Sequence, residues 1–223
     1  MEENKTGVIV SFPRSGNTLL RFLAEYITER VVADYNTSIP SSAIKFYSSH
    51  TKSIGETINI EPKNPPILRK YHLVNKNLDE KNLICGAKVN LIIRNPFECI
   101  NSHIKRDGGS YDQWINSYCD IIRYYDDCEN RGVLIYYDNL VDLDKQKFVI
   151  SSLLSVNNID EQPNWGEYIN NIKDLNSTSK QGYINLYKTV QYNDQESFKE
   201  EFFEKVRKNL GDYLFIKYLK RYR

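Results

Sequence analysis

One segment restricts the fold more than any other: GVIVSFPRSGNTLLRFLAEYI, residues 7–27. GVIVSF is a short apolar run of strand length. It stops at Pro13, and beyond Gly16 the apolar residues change period. Leu19, Leu20, Phe22, Leu23, Tyr26 and Ile27 recur at spacings of three and four, which is one face of a helix. A buried strand that passes through a tight turn straight into a helix is the opening of a βα unit, so a parallel sheet covered by helices is expected.

The rest of the chain repeats the alternation. PPILRKYHLV (65–74) predicts a second strand, ICGAKVNLIIR (84–94) a third, and GVLIYYDNL (132–140) a fourth. Pro96 suits the first turn of a helix running to about Arg106, and Gly108-Gly109 breaks it. Residues 111–130 read as helix with Trp114, Tyr118, Ile121, Ile122 and Tyr125 inward; 144–155 and 196–220 read as further helices, the last interrupted near Gly211-Asp212. Residues 34–65 and 157–195 are polar and poorly periodic, and irregular stretches of that length commonly serve a binding site. No internal repeat and no domain boundary stands out, so the 223 residues are expected to form a single α/β domain over 1–223.

Composition narrows the function classes. Thirty basic and 29 acidic residues leave a formal charge of +1, without the strongly basic footprint of a duplex-binding domain, and no nucleic-acid partner is expected. Cys85, Cys99, Cys119 and Cys128 match neither a paired metal spacing nor a dense disulfide framework, so free thiols in a reducing compartment are expected. MEENKTG lacks the basic start and long apolar stretch of a secretory signal, and no run of about 18 apolar residues occurs. The expectation is a cytoplasmic protein without a membrane partner.

The first turn has its own chemistry. Backbone N–H groups of a Gly-containing turn and the helix that follows converge on one spot, where the helix dipole adds partial positive charge. In PRSGNT, Arg14 adds a full charge with two-pronged donors, and Ser15, Asn17 and Thr18 add side-chain donors around Gly16. The turn is built for a phosphate or sulfate. The triphosphate-binding pattern GxxxxGK[ST] is absent.

The PRSGNT segment resembles the 5′-phosphosulfate loop of PAPS-dependent sulfotransferases, roughly P-[KR]-S-G-[TS]-[TS]-W/L. LIIRNPFECINSH resembles that family's 3′-phosphate segment, R-[ND]-P-x-[DE]-x-x-x-S, with Arg94, Asn95, Pro96, Glu98 and Ser102 in the corresponding places. Between them, LRKYHL resembles the K-[TS]-H-L strand, putting Lys70 where the family holds the sulfuryl group and His72 where it has the catalytic base. Strand residues two apart share a face, so Lys70 and His72 point the same way. LIYYDNL resembles the family's Y-E-D-[LM] strand end, with Tyr137 near the adenine position, and STSKQG offers Lys180 and Gly182 toward the loop that closes over the 3′-phosphate.

The resemblance covers about residues 7–140 and implies a P-loop-NTPase-like three-layer sandwich. It also implies PAPS as sulfuryl donor leaving as PAP, no metal, and transfer to a hydroxyl or amine of a small-molecule or carbohydrate acceptor. The chain departs from the pattern at Arg14 (often Lys), Asn17 (often Thr or Ser), Leu19 (often an adenine-stacking Trp) and in the closing loop. His50 in YSSHTKS is a rival base; His103, beside Ser102, is expected to pack or face solvent. A P-loop-type small-molecule kinase and a catalytically inactive nucleotide-binding protein are the alternative readings.

Overall fold

The computed structural model describes residues 7–28, 32–34, 67–71, 86–160, 165 and 196–223. Five parallel strands form one sheet: β1 (Gly7–Ser11), β2 (Val32–Asp34), β3 (Leu68–Tyr71), β4 (Val89–Ile93) and β5 (Arg131–Tyr136), in the order β2-β3-β1-β4-β5. Val8 lies opposite Arg69 on one side and Val89 on the other. Helix α1 (Asn17–Thr28) follows β1; α2 (Pro96–Asp107) and α3 (Tyr111–Asp127) lie between β4 and β5. A short α4 (Tyr137–Val141), α5 (Leu143–Val156), α6 (Glu196–Leu210) and α7 (Asp212–Leu219) follow, and a 3-10 turn (Lys220–Tyr222) comes after α7.

Strand alternation divides the core into two layers. Ile9, Leu68, Ile92 and Ile135 face Leu20 and Leu23 of α1 and Ile150 and Leu153 of α5. Val8, Val10, Leu91 and Ile93 face the other way, toward Ile100, Ile122, Phe202, Val206 and Phe215 of α2, α3, α6 and α7. The described residues therefore form the three-layer α/β sandwich expected from the alternation.

Local signals set the helix ends. Asn95 caps α2 by accepting hydrogen bonds from the N–H groups of Phe97 and Glu98, and Pro96 occupies the first helical position. Ser110 caps α3 through the N–H of Gln113. Gly211, at φ 89°, separates α6 from α7 at the expected break.

Two boundaries differ from expectation. β4 begins at Val89 rather than residue 84, because Gly86, at φ 84°, turns the chain just before it. β5 ends at Tyr136, and Tyr137 opens α4 instead of ending a strand that runs to Leu140. Asp138 and Asn139 suit a ladder poorly, and the helical turn delivers Leu140 into the α1–α5 layer, fully buried. Trp114 is only half-buried, its indole N–H donating to the Gly108 carbonyl at 2.8 Å. β3 spans Leu68–Tyr71, with the buried Ile67 just before it; residues 65–66 and 72–74 of the expected strand lie outside the described residues.

A polar side chain sits inside the sheet. Asn90, fully buried on β4, donates to the Val8 carbonyl at 3.0 Å and accepts from the Val133 N–H at 2.9 Å, and it exchanges hydrogen bonds with Asn157 after α5. The β4–β5 register shifts between Val89 and Leu91, and the Asn90 amide fills the gap that the irregularity leaves.

Candidate functional site

β1 and β4 are neighbours, yet their connections depart to opposite sides, β1 toward β2 and β4 toward β5. The crevice beyond the carboxyl ends of two such strands is where open α/β sheets hold ligands. PRSGNT leaves β1 there and RNP leaves β4 there.

In the first loop, the Ser15 N–H donates to the Phe12 carbonyl at 3.3 Å, with Pro13 following Phe12 and Arg14 at φ 68°. That is the pattern of a type II turn, with Arg14 in the position usually given to Gly or Asn. Gly16 follows at φ 95°, and its carbonyl accepts from Leu20 N–H to start α1. A Cβ on Gly16 would stand 2.4 Å from Cδ2 of Tyr137, so the close approach of that ring also demands glycine. The first turn of α1 carries no acidic residue. Asn17 is buried and donates to Ser11 Oγ at 2.6 Å, while its Oδ1 has no partner among the described residues. The buried Ser15 hydroxyl has no nitrogen or oxygen partner among them either and faces the Cys99 thiol. Burial pushes that thiol up to about 12, so Cys99 stays protonated at neutral pH. Thr18 lies in the first turn of α1.

In the second loop, two tyrosine hydroxyls hold the backbone: Tyr118 donates to the Arg94 carbonyl at 2.6 Å and Tyr222 to the Ile93 carbonyl at 3.3 Å. The Arg94 side chain turns toward the first loop. Its Nε and one Nη donate to Glu98 Oε2 at 3.2 and 3.0 Å, and the other Nη donates to the Arg14 carbonyl at 3.1 Å. The guanidinium lies over the Tyr137 ring, 4.4 Å from its centroid. Burial opposes the Arg94 charge, but Tyr137 and the Glu98 carboxylate outweigh it and hold its pKa above the ordinary value. Arg14 is exposed and donates from Nε to Ser102 Oγ at 3.1 Å.

The structure thus brings together Arg14, Ser15, Gly16, Asn17, Arg94, Ser102 and Tyr137. Lys70 is half-buried on β3, the strand on the other side of β1, paired in register with Ile9. His72, His50, Lys180 and Gly182 lie outside the described residues. Leu19 packs against the α1–α5 layer.

Sequence reasoning missed several contributors. Glu98 had its place in the motif, but its pairing with Arg94 was not read from it. Tyr118 looked like core and also positions Arg94. His103 is buried beneath the first loop, its ring edge-on to Phe12 at 5.4 Å and Trp114 at 4.3 Å, with Nδ1 2.8 Å from Asp107. Burial lowers its pKa, with Arg14 adding to the effect and Asp107 opposing it. The i,i+4 spacing of His103 and Asp107 was the available signal. Among the described residues no group of three or more His, Cys, Asp or Glu lies together as a metal site requires, and no helix is long and apolar enough to cross a membrane.

No family model matches the chain, and no curated protein matches it in sequence. Among solved structures it is similar to a mouse sulfotransferase, SULT7A1, crystallised in complex with PAP. The match has a TM-score of 0.55 at 15% sequence identity and covers 99% of this chain and 90% of the mouse chain. At that identity the likeness establishes the architecture: this chain has a sulfotransferase-like α/β fold.

Proposed function

We propose that the chain is a sulfotransferase that moves a sulfuryl group from PAPS to a hydroxyl or amine of a small-molecule or carbohydrate acceptor. The observation that carries this reading is the meeting of two arginines from separate strand ends in one crevice, Arg94 on the Arg14 carbonyl and Arg14 on Ser102. A bisphosphorylated nucleotide needs two such anion sites facing one space. The residues fit it: a positive-φ Gly loop, a helix start without carboxylates, and a buried Ser15 hydroxyl with no oxygen or nitrogen partner among the described residues. The mouse protein of like fold was crystallised with PAP.

In this reading Ser15, Gly16, Asn17 and Thr18 hold the 5′-phosphosulfate end, and Arg94 and Ser102 hold the 3′-phosphate. Arg14 stabilises the negative charge that grows on the departing bridging oxygen, a fixed donor aimed at developing charge. Lys70 steadies the sulfuryl oxygens, and His72 removes the acceptor proton, its ordinary pKa of about 6.5 suiting base work near neutrality. Tyr137 borders the nucleotide and Lys180 closes over the 3′-phosphate. Cys99 and Cys119 are buried free thiols, as the reducing, cytoplasmic setting of this reading expects.

Calorimetric titration with PAP, and with ATP plus magnesium as a contrast, tests the donor. Turnover is then followed as PAP release over a panel of acceptors. His72→Ala is expected to abolish turnover while PAP binding persists. Turnover that survives this change and fails in His50→Ala transfers the base to His50. Tight ATP–magnesium binding without PAP binding refutes the donor assignment.

A further inference from the structure

Arg14 adopts a conformation that L-residues avoid. A side chain at φ 68° is strained relative to the ordinary helical or extended regions, so contacts elsewhere must hold it there. The peptide joining Arg14 to Ser15 is planar, and its C=O and N–H point in opposite directions. Its N–H side is tied to the Phe12 carbonyl and its C=O side to the Arg94 guanidinium. Those two ties fix the plane of that peptide, and with it the direction in which the following loop amides face.

Arg94 is itself held for this task. Glu98 takes Nε and one Nη, leaving the other Nη to reach Arg14. Its flat face lies on Tyr137, and Tyr137 presses against Gly16, the next residue but one after Arg14. The contacts close a ring: Arg94 to the Arg14 carbonyl, along the chain to Gly16, across to Tyr137, and back to Arg94. Every member is a side chain or backbone group of one of the two loops or of the start of α4.

We propose that Arg94 is a positioning residue for the first loop as well as a donor to the second phosphate site, so that the two ends of the nucleotide site are coupled through the Arg94–Arg14 carbonyl bond. The proposal deepens the donor-site reading and rests on it for the identity of the ligands. Loss of Arg94 would then weaken binding of the phosphate that its side chain does not itself hold. Such coupling is reciprocal: a ligand that orders one loop favours the other.

Two measurements test this. The first compares binding of PAP, adenosine 5′-phosphate and adenosine 3′-phosphate to the wild type, Arg94→Ala and Arg94→Lys. The 5′-monophosphate has nothing for Arg94 to hold, yet its affinity is expected to fall roughly tenfold in both variants, the usual scale for losing a charge-assisted hydrogen bond. An unchanged 5′-monophosphate affinity alongside weakened PAP binding makes Arg94 a phosphate ligand only and overturns the proposal. The second measurement needs no ligand. Amide hydrogen exchange over residues 15–18 is expected to quicken by about tenfold in Arg94→Lys, which keeps the charge, while exchange in α5 stays at its wild-type rate. Unchanged loop exchange also overturns the proposal. If the wild type binds none of the three nucleotides while the exchange result holds, the donor-site reading fails and the positioning role stands.

Discussion

Gly16→Ala perturbs the first loop with the least chemistry, and its effect can be worked from two quantities. Alanine at φ 95° meets the left-handed penalty, about 1–2 kcal/mol. Its Cβ would also stand 2.4 Å from Cδ2 and 2.8 Å from Cε2 of Tyr137, contacts that force the ring or the loop to shift. Arg94 lies over that ring, so retreat disturbs a second contact, and overpacking of this kind costs about 1–3 kcal/mol. Together these give about 2–5 kcal/mol, or a loss of PAP affinity of at least roughly 30-fold if the strain is relieved by deforming the site. The assay is calorimetric titration of PAP into the wild type, Gly16→Ala, Tyr137→Ala and the double variant, with thermal unfolding of each alongside. In the Tyr137→Ala background the glycine change should cost only its backbone part, a coupling of about 1–3 kcal/mol in the cycle. A Gly16→Ala protein that binds PAP within about threefold of the wild type and melts at the same temperature refutes the reasoning, and an additive cycle refutes the steric half of it.

Two further predictions follow from neighbouring contacts. Ser102→Ala removes the acceptor of Arg14 Nε and, in the proposed reading, a donor to the second phosphate, so PAP affinity is expected to fall about 3- to 30-fold by titration; an unchanged affinity dismisses Ser102 from the site. His103 has a folded-state pKa below its ordinary 6.5, so the unfolded chain takes up the proton first as pH falls. Its contribution to stability is therefore whole above 6.5 and is lost as pH drops from there through the folded value. Urea unfolding between about pH 5 and 7.5 should show a shallower acid decline for His103→Phe than for the wild type, and an identical decline removes His103 from that role.

The frame of the site was legible because its two loops are local. PRSGNT and RNPFE each announce a strand end, a turn and a helix start within a few residues, and Pro13, Gly16 and Pro96 leave the backbone few choices. The links between the loops were not legible. That Arg94 would reach the Arg14 carbonyl depends on β1 and β4 being adjacent, which is a matter of strand order rather than local pattern. Tyr137 shows the same limit: its apolar neighbours suggested a longer strand, and burial of Leu140 required a helical turn. Buried polar residues were the other blind spot. Arg21 is 7% exposed on the inner side of α1, where its guanidinium donates to the Val32 carbonyl, a contact that no periodicity rule anticipates. His72, which bears most on the proposed chemistry, lies outside the described residues, and its role rests on the pattern around it.

Asn90 acts as a gauge for the opposite end of the molecule. Sliding β4 by one residue against β1 would move its tip by about 3.3 Å and send its apolar side chains to the wrong layer. A displacement of that size is as long as the bond from Arg94 to the Arg14 carbonyl, so the two arginine-bearing tips would lose touch altogether. Greasy residues tolerate small misalignments, whereas a carboxamide matched to Val8 on one flank and Val133 on the other accepts one alignment only. The spacing of the two arginine-bearing tips is thus dictated from the far end of the sheet, by an amide remote from the crevice itself.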